Sequence, residues 1–184
     1  MKNKLSKLNV EVKYFDASLS GTMSQITAAG NFNHLTAIAQ GDGQSTRDGN
    51  SIKCIGFDMR FELQQHSTPT SQIVRVVIIR QGYNDAYTPL CSDIFSDGTQ
   101  IKSFRNVNES RGYKVLYDRS FMLDTLQKDG IFVKKHIPMS HHIKWDGTAG
   151  ADTTFGHLWS FVVTDEATNR ASVDLITRLR YVDN

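Results

Sequence analysis

Cysteine is almost missing from this chain, with only Cys54 and Cys91 among 184 residues. Two thiols make no disulfide framework, and the pair reads as reduced cysteines of a protein assembled inside a cell. Long apolar runs are missing too. The best candidate, Ile73 to Ile79, is short and broken by Arg75, so no membrane insertion is expected. The N-terminal stretch MKNKLSKLNVEVKYFD has no apolar h-region, and no secretory signal is expected from it. Without one, the glycosylation match Asn108-Glu109-Ser110 reads as chance. Neither sign of charge dominates, with 21 lysines and arginines against 19 aspartates and glutamates. The formal net charge is +2, so composition does not argue for a nucleic-acid partner, and any such reading rests on where the charges sit.

Catalytic signatures are equally thin. A cupin-type metal site needs His-x-His on one strand face, yet His141 and His142 are adjacent and would point to opposite faces. His34, His66, His136 and His157 have no ligand-like neighbours at fixed spacing. There is no Gly-x-Ser-x-Gly, no Gly-x-x-x-x-Gly-Lys, and Gly41-Asp42-Gly43 lacks the rest of a dinucleotide fingerprint. No enzyme and no cofactor is expected. Aspartate-rich turns at Asp93 to Asp97 and Asp146 to Asp152 could hold interfacial calcium, but neither carries spaced ligands like an EF-hand loop.

What is present is alternation. Gly43 to Leu63, GQSTRDGNSIKCIGFDMRFEL, opens on turn residues and closes on a strand. Phe57, Met59, Phe61 and Leu63 point one way, and Asp58, Arg60 and Glu62 the other. Ile73 to Arg80 is apolar on both faces except at Arg75. Further strands are expected at Val10 to Phe15, Tyr113 to Leu123, Ile131 to Ile137 with a resumption at His141 to Trp145, His157 to Val163, and Val173 to Val182. Pro89 to Phe95 suggests a short helix with Thr88 as its cap. The expectation is a basic arm over residues 1–9 and one all-β domain over 10–184. About eight strands would form two facing four-stranded antiparallel sheets, with at most short helices in loops.

Particular segments carry a family resemblance. Arg47-Asp48-Gly49-Asn50-Ser51-Ile52, the strand after it, and Val74-Arg75-Val76-Val77-Ile78-Ile79-Arg80 resemble the capsid proteins of small circular single-stranded DNA viruses that encode a replication initiator. Arg105-Asn106, Tyr113 to Arg119 and Arg178-Leu179-Arg180-Tyr181-Val182-Asp183 extend it, and the layout is more widely similar to satellite plant-virus coat proteins. The resemblance implies a jelly roll that self-assembles into a small icosahedral shell of about sixty copies around circular single-stranded DNA. It also implies a virion location, assembly in the host cell nucleus, and a host receptor. Such relatives carry a longer, arginine-rich arm, whereas this chain has no arginine before Arg47.

The residues singled out follow from that reading. Lys2, Lys4, Lys7 and Lys13 are the candidate contacts to nucleic acid, non-specific because phosphates carry no sequence information. Arg47, Arg60, Tyr83, Tyr87, Phe95, Phe104 and Phe155 are the candidate subunit-interface residues. The loops Gly82–Asn108 and Asp146–Phe155 are the expected variable surface. The alternative is a non-viral binding module of the lectin or cytokine kind, monomeric or trimeric, gripping a ligand with Trp145 and Trp159.

Overall fold

The computed structural model describes residues 11–25, 31–82, 89–96, 101–107, 112–126, 130–151 and 153–183. Its elements are β1 (Lys13–Gln25), β2 (Asn31–His34), β3 (Ser51–Gln64), β4 (Ser71–Gln81), α1 (Cys91–Ile94), β5 (Tyr113–Asp124), β6 (Gly130–Trp145), β7 (Thr153–Phe155), β8 (Leu158–Thr164) and β9 (Ser172–Asp183).

The strands form a five-stranded sheet ordered β1-β9-β3-β6-β7 and a four-stranded sheet ordered β2-β8-β4-β5. The fifth member of the larger sheet, β7, is only three residues long. The pairing is nested. β1 runs antiparallel to β9, β2 to β8, β3 to β6 and β4 to β5, as if one long hairpin had been folded over itself. The β3–β9 and β4–β8 pairings then close the coils into two sheets. That order is a jelly roll, which leaves edges only on its outermost strands.

Alternation explains the larger sheet. Phe57, Met59, Phe61 and Leu63 of β3 and Val173, Leu175 and Leu179 of β9 are all buried, and they fill the space between the sheets. Both ladders of β3 shift between Cys54 and Gly56, with one extra residue in β3 against β9 and one extra residue in β6 against β3. The smaller sheet obeys a different rule. All seven residues of β8 are buried, as are most of β4. Val74, Val76, Ile78 and Val162 face the common core, while Val77, Ile79, Phe161 and Val163 join Ile94 and Phe95 in a second cluster on the outside. The described part of the β4–β5 connection therefore packs on this sheet through Ile94 and Phe95, which is why Ile73 to Arg80 is apolar on both faces. Arg75, the charge inside that run, forks onto both carboxylate oxygens of Asp118 at 2.9 Å and donates to the Ser103 carbonyl at 2.8 Å.

The turns gather at two ends. Gln40 N donates to Thr148 O, Trp145 N to Asn50 O and Gln81 N to His157 O, joining the β2–β3, β4–β5 and β6–β8 connections at one end. Thr125 N to Thr70 O and Asp165 N to Ile73 O tie the opposite end. The short helix begins at Cys91, later than the cap expected at Thr88, which lies outside the described residues. Asp93 satisfies its first turn by accepting from Leu90 N at 2.6 Å. No helix among the described residues is long and apolar enough to cross a membrane.

Candidate nucleic-acid interface

With one sheet covered by its own loop, the open surface is the outer face of the five-stranded sheet. Cross-strand register builds it row by row. One row reads Asp16, Arg178, Asp58, His136 across β1, β9, β3 and β6. Its charges alternate and pair. Arg178 holds Asp16 through Nε at 2.7 Å and Nη2 at 2.6 Å. Asp58 receives Arg180 Nη2 at 3.1 Å and lies 2.8 Å from His136 Nδ1. The bulge residue Gly56 makes room for this, since a Cβ there would meet Arg180 Nη2 and His136 Cε1 at 3.1 Å each.

The next row reads Ser18, Ile176, Arg60, Lys134. Here two cations stand directly opposite each other, an arrangement that costs stability in a sheet. No ion pair reaches Arg60, Lys134 or the neighbouring Lys135 among the described residues. Together these rows line a groove of about 640 Å³ that carries Arg60, Lys134, Lys135, Arg178 and Arg180 against Asp16 and Asp58. Phe132, 60% exposed, stands beside it with Lys134 Nζ 5.5 Å from its ring centre. Chemically this is a cationic trough with a flat apolar surface at its rim, suited to phosphates and an unpaired base.

The sequence-derived candidates distribute differently. Of the expected nucleic-acid contacts, Lys2, Lys4 and Lys7 lie outside the described residues. Lys13 does not face a ligand; it is buried and bound to Asp48 at 2.6 Å and Asp183 at 2.8 Å. Burial opposes its charge, but those two carboxylates outweigh it and hold the ammonium proton well above the usual lysine range. Among the expected interface residues, Arg47 is fully enclosed within its own chain. Its guanidinium donates to the carbonyls of Ile38, Gly49 and Gly147 and to Asn50 Oδ1, and lies 4.5 Å above the Trp145 ring. Phe95 is not an exposed anchor either, being 2% exposed between Arg75 and Phe161. Arg60 and Phe104 are exposed, the latter at 85%, and Phe155 is half-buried. Tyr83 and Tyr87 lie outside the described residues.

In the aspartate turns, Asp93 caps α1, and Asp97 and Asp152 lie outside the described residues. Lys134 and Lys135 were missed by sequence reasoning. Only the β3–β6 register sets Lys134 against Arg60, and nothing local signals that register.

No family model matches this chain, and no curated protein does. Among solved structures, one of Desmodium yellow mottle tymovirus aligns with a TM-score of 0.38 and 8% identity, covering 95% of this chain and 87% of that one. A cyanophage Pam1 capsid asymmetric unit aligns at 0.33 and 11% identity, covering 96% of this chain and 86% of the other. Likenesses of this size leave the assignment to the chain's own residues.

Proposed function

We propose that this chain is a capsid subunit that self-assembles into a closed shell around single-stranded DNA, with the cationic face of its five-stranded sheet turned toward the nucleic acid. The observation that carries the reading is the row in which Arg60 opposes Lys134 without a carboxylate between them. A stand-alone sheet gains from alternating charges, as the adjacent Asp16–Arg178–Asp58–His136 row does. Holding like charges together sacrifices stability for a partner that brings the negative charge. Repeated over many copies, such a face neutralises a polyanion by releasing its counterions, without reading sequence. The resemblance of the Arg47 to Ile52 and Arg178 to Asp183 segments to capsid proteins of circular single-stranded DNA viruses supplies the shell, its sixty-fold copy number of about that family's size, and the virion location. Exposed Leu90, Phe104 and Val107 on the β4–β5 connection supply apolar surface for neighbouring subunits or a receptor.

The binding-module alternative loses its ligand grip, because Trp145 and Trp159 are 3% and 7% exposed and packed into the fold.

Size-exclusion chromatography with light scattering, read together with absorbance at 260 and 280 nm, tests the shell. Particles of megadalton size with a nucleic-acid-like ratio are expected. A clean monomer at high protein and several salt concentrations would end the proposal. The groove is tested separately by Lys134→Glu. This change completes the missing ion pair with Arg60, so the subunit should gain up to about 1 kcal/mol of stability. At the same time its binding to a single-stranded oligonucleotide should weaken, with the slope against log salt falling by about 0.7 or more. An unchanged slope would remove the groove from the binding surface.

A further inference from the structure

A buried polar cluster lies away from the groove, where β2, β6 and β8 meet at the loop end. His34 Nε2 is 3.1 Å from His157 Nδ1, and Thr36 Oγ1 completes a triangle at 3.2 and 3.1 Å. The hydrogens are fixed by what surrounds them. His157 Nε2 is 2.7 Å from the Lys144 carbonyl, so that nitrogen carries a hydrogen and Nδ1 can only accept. Thr36 Oγ1 already accepts from Leu158 N at 3.1 Å, which leaves its hydroxyl to donate into the triangle. With both rings neutral, His157 Nδ1 is the acceptor that the Thr36 hydroxyl meets.

Among the described residues no carboxylate acts on either ring. Trp159 of β8 stacks on His34 at 4.4 Å, and Trp145 of β6 meets His157 edge-on at 4.9 Å. The charged groups acting on the cluster are cationic or become so. Arg47, His34 and His141 act on His157, while Arg80, His142 and Lys114 act on His141, whose Nε2 is 3.1 Å from the Gly156 carbonyl.

We propose that His34, Thr36 and His157 form an acid-sensitive clasp that holds the edge strand β2 and the β6–β8 connection closed when neutral and releases them on protonation. A second proton on His157 turns its Nδ1 from acceptor to donor, so the Thr36 hydroxyl must turn round and the charged ring is left in a buried site lined with positive charge. Water holds that charge better than this site does, so protonation favours release of the ring. With it goes the end of the four-residue β2, whose pairing stops at His34 opposite Trp159 and whose next bond is Leu35 N to Leu158 O.

Burial agrees in direction, lowering His34 to about 4 and His157 to about 3, with nearby cations adding to the second. In the released form both rings titrate near their ordinary value of about 6.5. Above that pH the closed form keeps its full advantage. Below it the open form takes up protons that the closed form refuses, and the advantage falls about tenfold per pH unit per histidine.

The two tryptophans of the chain both touch the clasp, so intrinsic fluorescence reports on it directly. The full chain is titrated from pH 7 to pH 3.5 by fluorescence, far-ultraviolet circular dichroism and hydrogen exchange of 31–36 and 153–158. The opening constant that exchange reports for those segments, corrected for the base-catalysed intrinsic rate, should rise about tenfold or more per pH unit below about 6.5 while the sheet signal persists. His157→Gln, which cannot titrate, should abolish or displace that transition. Ring titration of the wild-type histidines by NMR keeps the idea testable if the variant does not fold. Rings titrating near 6.5 in the closed form, or an acid transition in His34→Gln and His157→Gln that is unchanged from wild type, would overturn the clasp. The readout is the subunit itself, so its failure leaves the shell proposal standing.

Discussion

Replacing Arg47 with methionine should destabilise the fold by about 3–5 kcal/mol, the cost of stranding several buried acceptors at once. The aliphatic stem would survive, but the carbonyls of Ile38, Gly49 and Gly147 would lose their common donor. Those carbonyls come from both loops of the same end, so one guanidinium fastens the β2–β3 connection to the β6–β7 turn. Lysine should rescue little. A single ammonium cannot reproduce a planar fork whose Nε, Nη1 and Nη2 each serve a different carbonyl, nor stack as flatly on Trp145. Urea denaturation of wild type, Arg47→Met and Arg47→Lys measures this, and a melting temperature lower by about 10 °C should accompany the larger loss. A methionine variant within about 1 kcal/mol of wild type would mean that these acceptors find other donors. In that case Arg47 would no longer be the reason for the Arg47-Asp48-Gly49-Asn50 turn.

The β architecture was legible because its rule is local. A period of two in Phe57 to Leu63 says which face is buried without reference to any other strand, and the buried row is the one expected. The two-sided apolar run of β4 was equally visible, but its cause was not. Nothing in Ile73 to Arg80 tells that the chain returns at Ile94 and Phe95 to cover its outer side. For the same reason Phe95 was expected outside and lies inside. Strand ends were blurred wherever a bulge intervened, as between Leu19 and Ser24 in β1.

The candidate site was less legible, because its chemistry depends on pairs. Arg60 read as an outward charge and is one, yet its meaning comes from Lys134 across the ladder. Lys135 shares the parity of Ile131, Val133 and Ile137, which made it look inward, although it is exposed on β6. Lys13 looked like part of a basic arm because its partners Asp48 and Asp183 lie far along the chain. The histidines were discounted for lacking ligand spacing. His34 and His157 meet only because β2 pairs with β8.

Removing Arg75 tests how the outer side of the four-stranded sheet is held. Arg75→Ala should cost about 3–5 kcal/mol, since it strands Asp118 in a half-buried position and frees the Ser103 carbonyl. Arg105, 3.4 Å from the same carboxylate but half-exposed, is too weakly placed to replace it. Removing both charges should cost less than removing one, because Arg75→Met with Asp118→Leu strands no buried ion and leaves only the half-exposed Arg105 without this carboxylate. Acidity separates this from a simple packing loss. Burial pushes the Asp118 carboxyl up, but the Arg75 fork and Arg105 outweigh it, so its net shift is downward. A lowered carboxylate contributes stability above its ordinary range, and that contribution is lost as the pH falls through the folded value. In Arg75→Ala burial acts with little opposition, the shift reverses, and protonation relieves the stranded charge. The gap between wild type and variant should therefore be widest near neutrality and shrink steadily toward pH 3. Hydrogen exchange should localise the loss to 89–96 and 101–107, where Phe95 packs under the guanidinium at 4.5 Å. A gap that stays constant with pH, or exchange unchanged in those segments, would mean that Ile94 and Phe95 hold the connection by apolar packing alone.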